Sequence, residues 1–292
     1  MLAALCFGAT FLVVQEAVER VEPVPFLAVR FAIGAAVLWP FARRRPLTDG
    51  LWRDGSLAGA SLLLGYVLQT VGLQYTSSAT SAFITYLLVV IVPVLAIVVL
   101  RRPPQVLTLA GIALAVVGLV LLTDPGAGGG GFGRGELLTL GCAFAFAVHV
   151  IVLGATAHRH DPLRLATVQI AFVAVGCAVP GALAGGYRFP AAALAAALAT
   201  AVLATALAFA LQVFGQRTVP PARAALLLLL EPVSAGILAA ARGEALSLLQ
   251  SAGAALILVA VALAEVVPGL LDRRVSAREA GPDNDRSQPV TS

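Results

Sequence analysis

Ten apolar runs follow one another along the 292-residue chain. Each is about 17 to 25 residues long, enough to cross the ~30 Å hydrocarbon core of a bilayer as a helix rising about 1.5 Å per residue. They are Leu2 to Val21, Pro25 to Phe41, Ser56 to Tyr75, Ser81 to Leu100, Val106 to Leu122, Glu136 to Ala157, Leu165 to Ala184, Ala191 to Phe214, Ala222 to Ala241 and Leu248 to Val267. The runs are Ala/Leu-rich and apolar all round, with none of the period-two alternation that barrel strands need. The expected fold class is therefore an all-α integral membrane protein with ten transmembrane helices. Composition agrees, since only 12% of residues are charged where a soluble domain carries about 25%. The first run lacks the basic n-region of a signal peptide and precedes nine more, so it reads as a helix. It begins at Leu2, which leaves open a start further upstream.

All nineteen basic residues are arginine, and most fall in the short gaps between runs. With a cytoplasmic N-terminus, fourteen lie on cytoplasmic segments, four (Arg20, Arg134, Arg188, Arg242) lie outside, and Arg30 is left within a span. That bias orients the chain as a multi-pass protein of the cell (inner) membrane with both termini cytoplasmic. It also accounts for the pI of 9.4 as a topology signal, so no nucleic-acid partner is expected. Cys6, Cys142 and Cys177 stand alone in apolar runs and read as reduced, small hydrophobes.

The Gly-rich stretch "DPGAGGGGFGRG", residues 124–135, follows the fifth run and divides the chain into a first repeat (1–123), a second repeat (136–267) and a polar, disordered cytoplasmic tail (268–292). At an offset of 139 residues Phe7 falls on Phe146, Arg30 on Gln169, and Pro93 of "VVIVPVLAIVV" on Pro232 of "LLLEPVSAGIL". Five crossings per half force the halves to enter the membrane from opposite sides, giving two inverted five-helix repeats.

The stretches "FGATFLVVQEAVERVEPVPFLAVRFAIGAAVL", "YTSSATSAFITYLLVVIVPVLAIVVLRRPP" and "QRTVPPARAALLLLLEPVSAGILA" resemble the EamA family of the drug/metabolite transporter superfamily, and the likeness covers residues 1–267. The resemblance implies a carrier that exports amino acids, other metabolites or drugs through a cavity between the halves. Two positions depart from the family pattern: Phe7 stands where tryptophan is common, and Gln15 where a lysine often sits. The second removes a charge from the first span.

Glu231 lies about ten residues into its span, hence roughly 14 Å deep. A charge at such depth costs about 2.5–3.5 kcal/mol on insertion scales, so Glu231 should face a polar interior or bind a proton. It reads as a site for a substrate cation or proton, or as a neutral acid that holds the kink at Pro232. Pro232 and Pro93 are the expected kinks, each removing an amide donor and crowding the carbonyl four residues back. Arg30 reads as an anchor for a substrate carboxylate, as a side chain snorkelling to the interface, or as a partner of Glu16 or Glu22. Glu16 is either part of a solvated helix end or a coupling residue. Gln15, Tyr66, Gln69, Tyr86, His149, Gln169 and Gln212 are the uncharged polar residues at depth, able to line a wet cavity or to join helices. Gly111 with Gly118, and Gly253 with Ala260, suggest close packing of the last helix of each half. The cluster "HRHD", 158–161, reads as a solvated basic loop rather than a metal site.

No Walker motif and no lysine occur, which excludes direct ATP drive at the motif level. The expected function is a secondary transporter that moves a small organic metabolite, amino acid-like or drug-like, by alternating access with or without proton coupling. The alternatives are an intramembrane enzyme, for which H-E-x-x-H, G-x-S-x-G and paired aspartates are missing, and a passive channel, for which no ring of like charges is evident. No cofactor or metal is expected. The partners are a small-molecule substrate, the lipid bilayer and protons, with the chain a monomer or dimer.

Overall fold

The computed structural model describes residues 1–18, 21–76, 78–101, 103–123, 133–183, 186–241 and 247–279. Helices carry almost all of them, because a backbone in hydrocarbon must satisfy its own polar groups. The first half holds α1 (Leu2–Val18), α2 (Pro23–Ala42), α3 (Leu51–Gly72), α4 (Ser78–Tyr86), α5 (Leu88–Leu100) and α6 (Val106–Thr123). The second holds α7 (Arg134–Thr156), α8 (Pro162–Leu183), α9 (Ala191–Thr200), α10 (Ala208–Gln216), α11 (Pro221–Leu228), α12 (Leu230–Ala241) and α13 (Leu248–Glu279). Eight spans are long and apolar enough to cross a membrane among the described residues, and Leu248–Ala264 is a shorter apolar one; α1 has 17 residues. The helix α13 continues to Glu279, past the expected end of its span at Val267.

Helix pairing follows the repeat. α2 packs on α8 and α6 on α13, so these helices meet their own counterparts; α3 packs on α7 as α1 packs on α9 and α10, and α5 on α7 as α12 on α1. The small residues noted at the last helices do pack closely. A Cβ on Gly118 would lie 2.8 Å from the Gly253 carbonyl oxygen, and one on Gly253 would lie 2.5 Å from that of Gly118. Backbone touches backbone there, so the contact is made within one chain.

Among the described residues three spans are irregular. The fourth breaks between α4 and α5, where Leu87 bonds back to Ile84 O at 3.2 Å, and the ninth breaks between α11 and α12, where Leu229 bonds back to Leu226 O at 3.1 Å. Such three-residue spacing tightens a turn and interrupts the regular ladder. The second break adjoins Leu228, whose carbonyl Pro232 leaves without its donor. Pro93 lies inside α5, so the first break falls nearer Tyr86 than the proline. Between α9 and α10 residues Ala201–Leu207 form a π-helical turn.

The loop at 158–161 corrects the reading of a solvated basic segment. His158 and Arg159 are exposed, but His160 is buried, with its ring nitrogens 2.9 Å from Asp54 Oδ2 and 2.6 Å from Thr48 Oγ1. Asp161 accepts the backbone N–H groups of Leu163 and Arg164 at 3.0 and 3.3 Å and so caps α8. Arg164 donates to the carbonyls of Arg43 and Arg45 at 2.9 Å. On this arginine-rich face the α2–α3 connection of one half is thus tied to the α7–α8 connection of the other. No group of three or more metal-ligating side chains occurs among the described residues.

Candidate functional site

A cavity of about 770 Å³ lies between the halves. Its wall takes residues from the α1–α2, α3–α4 and α8–α9 connections, such as Glu22, Gln74 and Arg188, and, among the described residues, none from the connections of the arginine-rich face. It therefore reaches the opposite face, while the side tied by His160, Asp54 and Arg164 contributes nothing to its lining.

The site is built at the irregular points of the helices. Glu231 is the second residue of α12, about 15 Å along a span that begins at Pro221. It is half-buried and its side chain lines the cavity. Its carboxyl group is near enough to the hydroxyl of Tyr86, the last residue of α4, and to the Arg30 guanidinium for both to act on it electrostatically. The two broken spans pack on each other through α5 and α11, with a phenol from one half and a carboxyl group from the other lining the same cavity.

Arg30 is 3% exposed, so it does not snorkel to the interface. Its Nε donates to Thr205 Oγ1 at 2.9 Å, and its guanidinium carbon lies 5.6 Å from the Phe31 ring centroid and 5.8 Å from that of Tyr66. Cation–π contacts hold the charge in a place with little water. The rings form a continuous aromatic wall: Phe7 stacks edge-on against Phe209 at 5.2 Å, Phe31 against Tyr66 at 5.1 Å, and Phe146 against Tyr66 at 5.4 Å. Phe7 and Phe146, equivalent in the repeat, thus each brace a ring from the opposite half.

The structure brings together seven of the residues singled out from sequence: Arg30, Tyr66, Gln69, Tyr86, His149, Gln212 and Glu231 all line the cavity. Gln69 donates to Thr85 Oγ1 at 3.3 Å, while Gln212 donates to Gln216, which in turn donates to Val150 O at 2.9 Å. Gln169 stands one layer back, fully buried, with Oε1 2.8 Å from His149 Nε2 and its own Nε2 without a partner. It is a support for His149, not part of the wall. The side chains of Gln15 and Glu16 lie outside the described residues.

Sequence reasoning missed Thr205, Phe209 and the Asp54–His160–Thr48 cluster. Thr205 had one signal: at the 139-residue offset it falls on Tyr66, the other residue against which Arg30 rests. A short apolar stretch such as "AVLATAL" gives no other hint.

Chemically, the cavity offers a fixed cation, a carboxylate with a phenol donor, several amides and an aromatic wall. That set suits reversible binding of a small organic molecule.

The comparisons with known proteins agree with that architecture. The model of the EamA-like transporter family matches residues 1–124 and again residues 133–265. An "Uncharacterized transporter" of Archaeoglobus fulgidus is 33% identical over 168 residues, covering 58% of this chain and 52% of the relative. "Uncharacterized transporter YvbV" of Bacillus subtilis is 25% identical over 181 residues, covering 61% and 59%. The matched region thus spans between half and three-fifths of these relatives' length. A solved crystal structure of a protein superposes with a TM-score of 0.77 over 94% of this chain and 96% of that one, at 21% identity, which shows the fold alone. With the family matched in both halves, the chain is a multi-pass membrane protein that belongs to the EamA-like transporter family.

Proposed function

We propose that the chain is a secondary transporter that carries a small zwitterionic organic substrate, amino acid-like in its charges, outward through the central cavity by alternating access. The observation that carries this reading is that Arg30 and Glu231, of opposite charge and from opposite halves, share one cavity of about 770 Å³. Arg30 holds the substrate carboxylate, and Glu231 holds its ammonium group or a proton in exchange. The halves, residues 1–123 and 136–267 joined by 124–135, rock about this midplane site in the manner of inverted-repeat carriers. In the described conformation the cavity reaches the face opposite the arginine-rich one. The arginine bias supports placing that face outside, in the cell membrane, with both termini cytoplasmic.

Purified protein in proteoliposomes tests the reading. Saturable counterflow of small zwitterions, lost in Arg30→Gln, is expected. Flux that does not saturate would mean a channel, and chemical conversion without flux would mean an enzyme; either overturns the proposal. A reporter fused at residue 292 should read cytoplasmic, and an external reading would overturn the orientation.

A further inference from the structure

The π-helical turn at Ala201–Leu207 has no local cause. The segment contains neither glycine nor proline, and its alanines and leucines favour the regular α-helix. Widened turns of this kind are rare inside helices and are found frequently at functional sites. Here the turn delivers Thr205. Its hydroxyl accepts the Arg30 Nε hydrogen at 2.9 Å and donates to the Thr200 carbonyl at 3.3 Å, five residues back. Both hydroxyl functions are thus used, and the residue is fully buried.

The facing helix is shaped to allow this. One turn after Arg30 stands Gly34, where a Cβ would lie 2.7 Å from Thr205 Cγ2 and 3.3 Å from the Ala201 carbonyl oxygen. Any larger residue there would push the π turn away from α2. Three features converge on one guanidinium nitrogen: the widened turn, the threonine on it and the glycine opposite.

With Nε held, the guanidinium can turn neither about its long axis nor toward the lipid, and the rings of Phe31 and Tyr66 flank it. Arg30 lines the cavity, and the donors that Thr205 does not occupy are its two terminal nitrogens, beside which the Tyr66 hydroxyl also acts on the guanidinium. We propose that Thr205 is a positioning residue for Arg30: by occupying Nε it makes the guanidinium present its end-on fork, Nη1 and Nη2, to a substrate carboxylate. An Arg fork is a bidentate donor with fixed geometry, so orientation decides whether one or two hydrogen bonds form. The inference rests on the functional reading above, in which Arg30 meets the carboxylate.

Counterflow in proteoliposomes with three probes tests it: L-phenylalanine, its decarboxylated analogue phenethylamine, and 3-phenylpropionate, which lacks the amine. Thr205→Val keeps the shape and removes the acceptor. It should raise the KM for L-phenylalanine and for any measurable 3-phenylpropionate transport about tenfold, with kcat held within about twofold and phenethylamine unaffected. Thr205→Ser should restore the unsubstituted KM. Gly34→Ala, which displaces Thr205 without altering it, should reproduce the Thr205→Val pattern and serves if that variant does not fold. An unchanged KM for L-phenylalanine in both variants, or an equal loss for phenethylamine, overturns the positioning role while leaving the transporter reading in place. Should the unsubstituted chain carry none of the three probes, or Arg30→Gln carry L-phenylalanine normally, the functional reading falls and the inference with it.

Discussion

Each half contains a span broken near its middle, yet the two breaks carry different chemistry. The first half parts at Leu87, just after Tyr86; the second parts at Leu229, just before Glu231. The repeat offset lays Glu231 on Val92, and Val92 is fully buried in an apolar cluster with Leu88, Val89 and Leu226. In space the residue that answers Glu231 is Tyr86. Both halves have a loosened helix, but one places a hydroxyl beside its break and the other a carboxyl group. Two carboxylates meeting there would repel each other at a depth where charge is already costly.

The sharpest way to break the comparison is Glu231→Gln. This variant keeps the side-chain shape and removes the proton-binding group, so substrate accumulation driven by an imposed pH gradient should vanish while the protein still purifies as a folded species. Gradient-driven accumulation that persists would leave Glu231 as a structural acid only. Next in size is Val92→Glu, which gives the first half its own carboxylate. Buried without a partner, it should cost about 3 kcal/mol of stability, seen as a fall in thermal midpoint in detergent. If the midpoint does not move, the site around Val92 is wetter than its packing indicates. Tyr86→Phe removes the donor alone, and a loss of about tenfold in kcat/KM is expected with little change in stability. Equal loss in Tyr86→Phe and Glu231→Gln would show that the pair acts as one unit. The smallest effects concern the prolines. Pro232→Ala should restore a backbone bond beside the site and change transport by a few fold, whereas Pro93→Ala, remote from the first break, should change it by about twofold at most.

Much of this was legible in the sequence because lipid imposes strong rules. Runs of apolar residues mark helices, a midplane charge is conspicuous, and an odd number of crossings fixes inversion. Glu231 stood out as such a charge, and Arg30 as the arginine left within a span. What could not be read depended on contacts distant in sequence or on backbone irregularity. Tyr86 was one polar residue among seven until the break at Leu87 turned it toward Glu231. Thr205 acts through a π turn that no local residue announces. His160 looked solvated beside His158 and Arg159, because its partners, Asp54 and Thr48, lie more than a hundred residues away.

The contact between Gly118 and Gly253 has a further consequence. Among the described residues neither α6 nor α13 contributes to the cavity wall, so their spacing is a dimension of the frame, set where two glycines leave room for backbone to meet backbone. A single methyl group at either glycine would act as a shim, widening the gap between the repeats at a contact outside the cavity wall. The width of the molecule can thus be altered there independently of what it binds.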